Sequence, residues 1–116
     1  MKVYGIYTCT SFKKACSFFK SNEIDIEEID FKKESVTEKE IQKYHEMSGL
    51  EIKKFFNTSG KLYRELNLKD KYKEMSLDEI YKLLSENPML IKRPLIVDGD
   101  FVRVGFKLEE YEARWL

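Results

Sequence analysis

Two strands and the helix between them fit into the first 31 residues, and that order constrains the fold more than any other feature of this chain. The run Val3-Tyr4-Gly5-Ile6-Tyr7 is apolar or small and reads as a strand. Phe12, Ala15, Cys16 and Phe19 then recur at i, i+3, i+4 and i+7, the buried stripe of a helix from about Ser11 to Lys20. Ser21-Asn22 ends it, and the β-branched residues around Ile24, Ile26 and Ile29 predict a second strand from about Ile26 to Asp30. Strands joined by one helix over so short a span are parallel, with a right-handed crossover.

The far end of the chain has a different rhythm. Leu95-Ile96-Val97 predicts a third strand, Asp98-Gly99 signals a hairpin, and Phe101 to Val104 returns antiparallel. A closing helix runs from about Leu108 to Trp115. Between the two halves, residues at about 37–87 read as a helical insertion. Thr37 with Glu40, and Ser76 with Glu79, fit capping boxes, and Asn87-Pro88 is a stop. The expected architecture is α/β: one thioredoxin-like domain over 1–116, with a four-stranded mixed sheet in the order β-α-β, helical insertion, β-β-α.

At 116 residues the chain is long enough for one core without disulfides or metals. Lys+Arg 21 balance Asp+Glu 21, so no net charge draws the protein to nucleic acid or to an anionic membrane. No run approaches the ~20 apolar residues of a membrane span, and Met1-Lys2-Val3 leads straight into a strand without an export signal. Two cysteines in such a chain point to a reducing, cytoplasmic setting. With one histidine beside them they make a poor metal-ligand set, and no bound cofactor is expected.

Cys9 carries the chemistry. It stands between the first strand and the first helix, where the unpaired N–H groups and the positive end of the helix dipole favour a thiolate. The same groups suit an oxyanion. That position outweighs the alternative of a small buried hydrophobe, and Lys13 and Lys14 add positive charge nearby. Cys16 is the reverse case, lying on the apolar stripe and reading as structural. Seven helical residues separate the two sulfurs' backbones by ~10.5 Å, whereas bridged Cα atoms lie within about 7 Å. Arg93-Pro94 before the third strand is the second feature: a cis bond in that turn aims the guanidinium at an oxyanion near Cys9. Asn57-Thr58-Ser59-Gly60 reads as a polar turn, His45, Tyr63 and Arg64 as structural or solvated, and Phe12, Phe18, Phe19, Phe55 and Phe56 as core.

Three blocks carry a family resemblance: Cys9-Thr10-Ser11-Phe12-Lys13-Lys14-Ala15, Phe56-Asn57-Thr58-Ser59-Gly60-Lys61-Leu62-Tyr63-Arg64-Glu65-Leu66, and Lys92-Arg93-Pro94-Leu95-Ile96-Val97-Asp98 with Val104-Gly105-Phe106. In this order the chain resembles the arsenate reductase (glutaredoxin-coupled type) and Spx regulator family. The resemblance implies a nucleophilic Cys9 and a substrate site at Thr10, Ser11, Phe12, Lys13, Asn57 and Arg93, beside a cis Pro94. It also implies an oxyanion or disulfide substrate, glutathione or another low-molecular-weight thiol as co-substrate, and glutaredoxin or thioredoxin as partner. The Spx branch implies an alternative, a non-enzymatic regulator that contacts the RNA polymerase α subunit near Gly49. The chain departs from both patterns. Phe12 stands where Spx-type members carry a second cysteine, and Asn57 and Phe106 stand where reductases carry further arginines.

Overall fold

The computed structural model describes residues 1–116. Four short strands, β1 (Lys2–Gly5), β2 (Glu27–Asp30), β3 (Leu95–Asp98) and β4 (Phe101–Val104), form one sheet in the order β2-β1-β3-β4. β1 and β2 are parallel, with Tyr4 opposite Ile29, and β3 runs antiparallel to both β1 and β4. The mixed sheet expected from the order of elements is present.

Strand alternation divides the core in two. Val3 and Ile96 face α1 (Thr10–Ser21) and α6 (Leu108–Trp115), where they join Phe12, Ala15, Phe18, Phe19 and Tyr111. Tyr4, Ile29, Leu95 and Val102 face the other way, onto the inserted helices α2 (Glu38–Ser48) and α5 (Leu77–Glu86) through Ile41, Tyr44, Ile80 and Leu84. All five phenylalanines read as core are buried. The hydroxyls of Tyr4 and Tyr44 lie 2.9 Å apart, satisfying each other inside this layer.

Both capping boxes form. The Glu40 N–H donates to Thr37 Oγ1 while the Thr37 N–H donates to Glu40 Oε1, and Ser76 with Glu79 repeats the arrangement. Between the two long helices come a 3-10 turn (Ile52–Phe55), α3 (Lys61–Glu65), α4 (Leu68–Lys71) and a further 3-10 turn (Tyr72–Glu74). Gly49 closes α2 at φ 66. His45, read as structural or solvated, is structural: Nδ1 accepts from the Tyr81 hydroxyl at 2.6 Å and Nε2 donates to the Leu50 carbonyl at 2.9 Å.

Several boundaries move. β1 stops at Gly5 and not at Tyr7, because the chain leaves the sheet there, with the Cys9 N–H closing a turn on the Ile6 carbonyl at 3.0 Å. β2 begins after Ile26, and exposed Glu27 and Glu28 make it a charged edge strand. The hairpin residues are Gly99 and Asp100 instead of Asp98 and Gly99: Asp98 still pairs with Phe101, and only Gly99 takes a positive φ, as a type II′ turn requires. Pro88 ends α5 but opens another 3-10 turn (Pro88–Leu90), so the helical insertion reaches three residues beyond 87. No helix is long and apolar enough to cross a membrane.

Candidate active site

Cys9 is the N-cap of α1, with extended backbone angles (φ −86, ψ 122). Its carbonyl accepts the Lys13 N–H at 3.1 Å, the first helical hydrogen bond. Its thiol makes no closed capping bond, and no acidic residue sits in the first turn. The positive end of the helix is thus left unneutralised beside the sulfur.

The helix is held in this place by Phe12. Its side chain is 1% exposed and fills the space a side chain at Gly5 would take: a Cβ there would fall 2.2 Å from the Phe12 ring. Tyr7 packs edge-on against the same ring at 5.4 Å. The Phe12 side chain is packed away as core, so Phe12, expected in the substrate site, can address a substrate only through its backbone. Its backbone N–H is what addresses the site.

Arg93 stands two residues before β3. The Arg93–Pro94 peptide is cis, and the Pro94 carbonyl accepts the Gly105 N–H at 2.9 Å. One arm of the guanidinium, Nη1, donates to the Met89 carbonyl at 3.1 Å. Its Nε is buried and has no partner. A buried N–H left unsatisfied is a ready donor to an anion that comes within its reach.

These groups decide the ionisation of Cys9. Burial pushes the thiol up, but the Phe12 N–H, the Arg93 side chain, the Ser11 N–H and the Arg93 charge together outweigh it and leave the pKa below the ordinary cysteine value. Because the thiol closes no capping bond, the N–H groups of Ser11 and Phe12 act on the sulfur as oriented dipoles. Lys13 and Lys14 are exposed, and the main lowering comes from Arg93 and the helix N–H groups instead of from these lysines.

Cys16 has opposite surroundings. Burial and a hydrogen bond with Glu28 push its thiol up to about 12. Near neutral pH Cys16 is therefore held as the thiol. Iodoacetamide is expected to label Cys9 first, with Cys16 lagging by well over tenfold in a peptide-mapping time course; equal rates would contradict this division of roles.

The other expected site residues are more dispersed. Thr10 and Lys13 line a shallow surface cavity of about 420 Å³ that Phe106 also borders. Asn57 is a turn residue: its N–H donates to the Leu90 carbonyl at 2.7 Å, its carbonyl accepts from Gly60, and its side-chain amide folds over Gly60. It makes no side-chain hydrogen bond to the site. Phe106 packs edge-on against Tyr111 at 4.7 Å. Sequence reasoning missed the Met89 carbonyl that steadies Arg93 and the Gly5–Phe12 fit, because neither leaves a local pattern.

The site and its frame are thus a thiol at a helix start, an arginine before a cis proline and an inserted helical layer. The ArsC family model matches residues 4–114, taking in all three. The chain belongs to the ArsC family. Within it, the uncharacterized protein YusI of Bacillus subtilis is 46% identical over 112 residues, covering 97% of this chain and 95% of YusI. Global transcriptional regulator Spx 2 of Bacillus anthracis is 30% identical over 108 residues, 93% of this chain and 81% of that protein. Among solved structures, a possible arsenate reductase of Streptococcus mutans superposes with a TM-score of 0.87 at 39% identity, covering 96% of each chain. This ArsC-family chain is thus similar both to a reductase-like structure and to regulators, over almost its whole length.

Proposed function

We propose that this ArsC-family protein is a one-thiol oxidoreductase, in which Cys9 attacks the substrate and an external thiol completes the cycle. The observation that carries this reading is Cys9 at the start of α1 with its pKa lowered by the helix N–H groups and by the Arg93 side chain, which keeps a buried, unpartnered Nε. With a disulfide as substrate, the Cys9 thiolate attacks one sulfur and the S–S bond breaks. A mixed disulfide forms on Cys9 and the second sulfur leaves as thiolate. A low-molecular-weight thiol, glutathione or a relative, then displaces Cys9, with glutaredoxin or thioredoxin as the partner that drains the product disulfide. Cys16 does not resolve the adduct, since the unbroken α1 keeps it ~10.5 Å away and its thiol stays protonated.

A disulfide suits this site better than arsenate does. One guanidinium faces Cys9, while Asn57 is committed to its turn and Phe106 carries no charge. Each charge-assisted hydrogen bond that an oxyanion lacks costs about 1.5–3 kcal/mol. Turnover is expected with a mixed disulfide in the presence of glutathione and glutaredoxin, at a kcat/KM at least tenfold above that with arsenate. Arsenate turnover equal to or faster than disulfide turnover would reverse the assignment.

A second reading, a regulator that binds the RNA polymerase α subunit, rests on the similarity to the Spx proteins and on Gly49. That glycine is exposed, with nothing within 4 Å of where its Cβ would be. Retention of the α subunit by the immobilised protein, lost on Gly49→Arg, would favour this reading.

A further inference from the structure

Along the free edge of the sheet lies a second concavity, to which neither Cys9 nor Arg93 contributes. It is a cleft of about 690 Å³, in the size range of small-molecule sites, between β4, the residues that follow it and the 3-10 turn at Ile52–Phe55. Its cations are Lys53, Lys54, Lys92, Arg103 and Lys107. Only Glu51 and Glu110 oppose these five, in a chain whose formal net charge is +0. None of the seven groups is in an ion pair: the two ion pairs of the protein are Lys61–Glu65 and Arg114–Asp98. Unpaired charges of one sign around a concavity focus the field onto a ligand of the other sign.

The β4 side of the cleft also carries backbone donors. β4 is the last strand of the sheet, so one of its edges has no neighbouring strand. The Gly105 N–H donates inward to the Pro94 carbonyl, and by the alternation of an antiparallel ladder Val104 turns its N–H toward the open edge. The N–H groups of Phe106 and Lys107 meet no backbone carbonyl either. Gly105 stands among them at φ 83, where glycine is favoured, and the Lys92 stem lies 3.3 Å from where its Cβ would be. Lys92 is thus seated against the bend in the chain. Arg103 is set differently: its guanidinium lies over the Phe101 ring at 5.4 Å, which leaves the four lysines as the charges free to close on a ligand.

We propose that this cleft binds a small molecule carrying two or more linked phosphates. Lys92 and Lys107 hold the phosphate oxygens, the N–H groups of Val104, Phe106 and Lys107 add directional donors, and Lys53 and Lys54 close from the opposite wall. A single phosphate carries about 1.5–2 negative charges near neutral pH, less than the positive excess here, and a linked pair matches that excess better. The site works by charge and hydrogen bonding, with no bond made or broken, and does not depend on the Cys9 cycle.

Pyrophosphate, titrated into the full chain without added metal and followed by amide NMR, is expected to move the resonances of Val104, Phe106 and Lys107 in a saturable way at millimolar or lower concentration. Orthophosphate should bind about tenfold or more weakly, and raising the salt should weaken both. ADP separates the two sources of a diphosphate: binding tighter than that of pyrophosphate assigns an organic diphosphate, and equal binding assigns the inorganic anion, with the diphosphate site supported in both cases. Lys92→Gln combined with Lys107→Gln should weaken pyrophosphate by about tenfold. Lys32→Gln combined with Lys33→Gln, at exposed lysines outside the cleft, should change its affinity by less than about twofold. No saturation, equal affinity for orthophosphate and pyrophosphate, or equal losses from the two lysine pairs would overturn the proposal. The comparison of the two phosphates uses unmodified protein, so poor folding of a variant cannot obscure the answer.

Discussion

Replacing Cys9 by serine is expected to abolish thiol–disulfide exchange, with turnover lowered by at least about a thousandfold. A serine hydroxyl is essentially un-ionised near neutral pH and cannot form the mixed disulfide. The helix N–H groups and Arg93 would remain, so substrate binding should survive the loss of turnover. Cys16→Ala is the matched control. Its thiol is held protonated beside Glu28, and removing it should change turnover by less than about twofold. Turnover by the Cys9→Ser protein with more than a tenth of the wild-type rate would show that the reacting group lies elsewhere.

Substituting Phe12 by cysteine is expected to cost about 3–5 kcal/mol of stability, read from urea unfolding. On paper this change writes a C-x-x-C pair, Cys9 with a thiol at position 12. In the structure it empties a site that is 1% exposed and removes the ring seated over Gly5. The reciprocal change, Gly5→Ala, should also destabilise, by about 1–3 kcal/mol, since its Cβ would fall 2.2 Å from that ring. Combined, the two should cost less than their sum, because the added methyl occupies part of the vacated space. Strict additivity would mean that the two residues do not share one packing site. The absence of a second thiol in the first turn is therefore a packing commitment of this core and not a single exchangeable residue.

Features with a local cause were legible in the sequence. The i, i+3, i+4, i+7 stripe of α1, the reciprocal Thr37–Glu40 and Ser76–Glu79 caps and the apolar run at Leu95 all depend on neighbours within a few positions. Each appears where expected to within a few residues. The hairpin shows where local reasoning slips: Asp98-Gly99 names a turn, but its register is decided by which residues pair, and Asp98 pairs with Phe101. Cys9 and Arg93 were recognisable by their places beside a helix start and a proline, although 84 positions separate them in the chain. What held them together was not. The Met89 carbonyl that receives Arg93 and the Phe12 ring over Gly5 depend on how the turn before β3 and the start of α1 are placed by the sheet.

The central claim is that Cys9 is ionised more readily than an ordinary cysteine because α1 and Arg93 act on its sulfur. The most direct test is the pH dependence of Cys9 alkylation by iodoacetamide in a Cys16→Ala background, with and without Arg93→Gln. The expected midpoint lies below the ordinary cysteine value of about 8.5, with a clear upward shift on Arg93→Gln. The remaining depression in that variant is then due to the helix N–H groups. A wild-type midpoint at or above the ordinary value, or one that Arg93→Gln leaves in place, would contradict it.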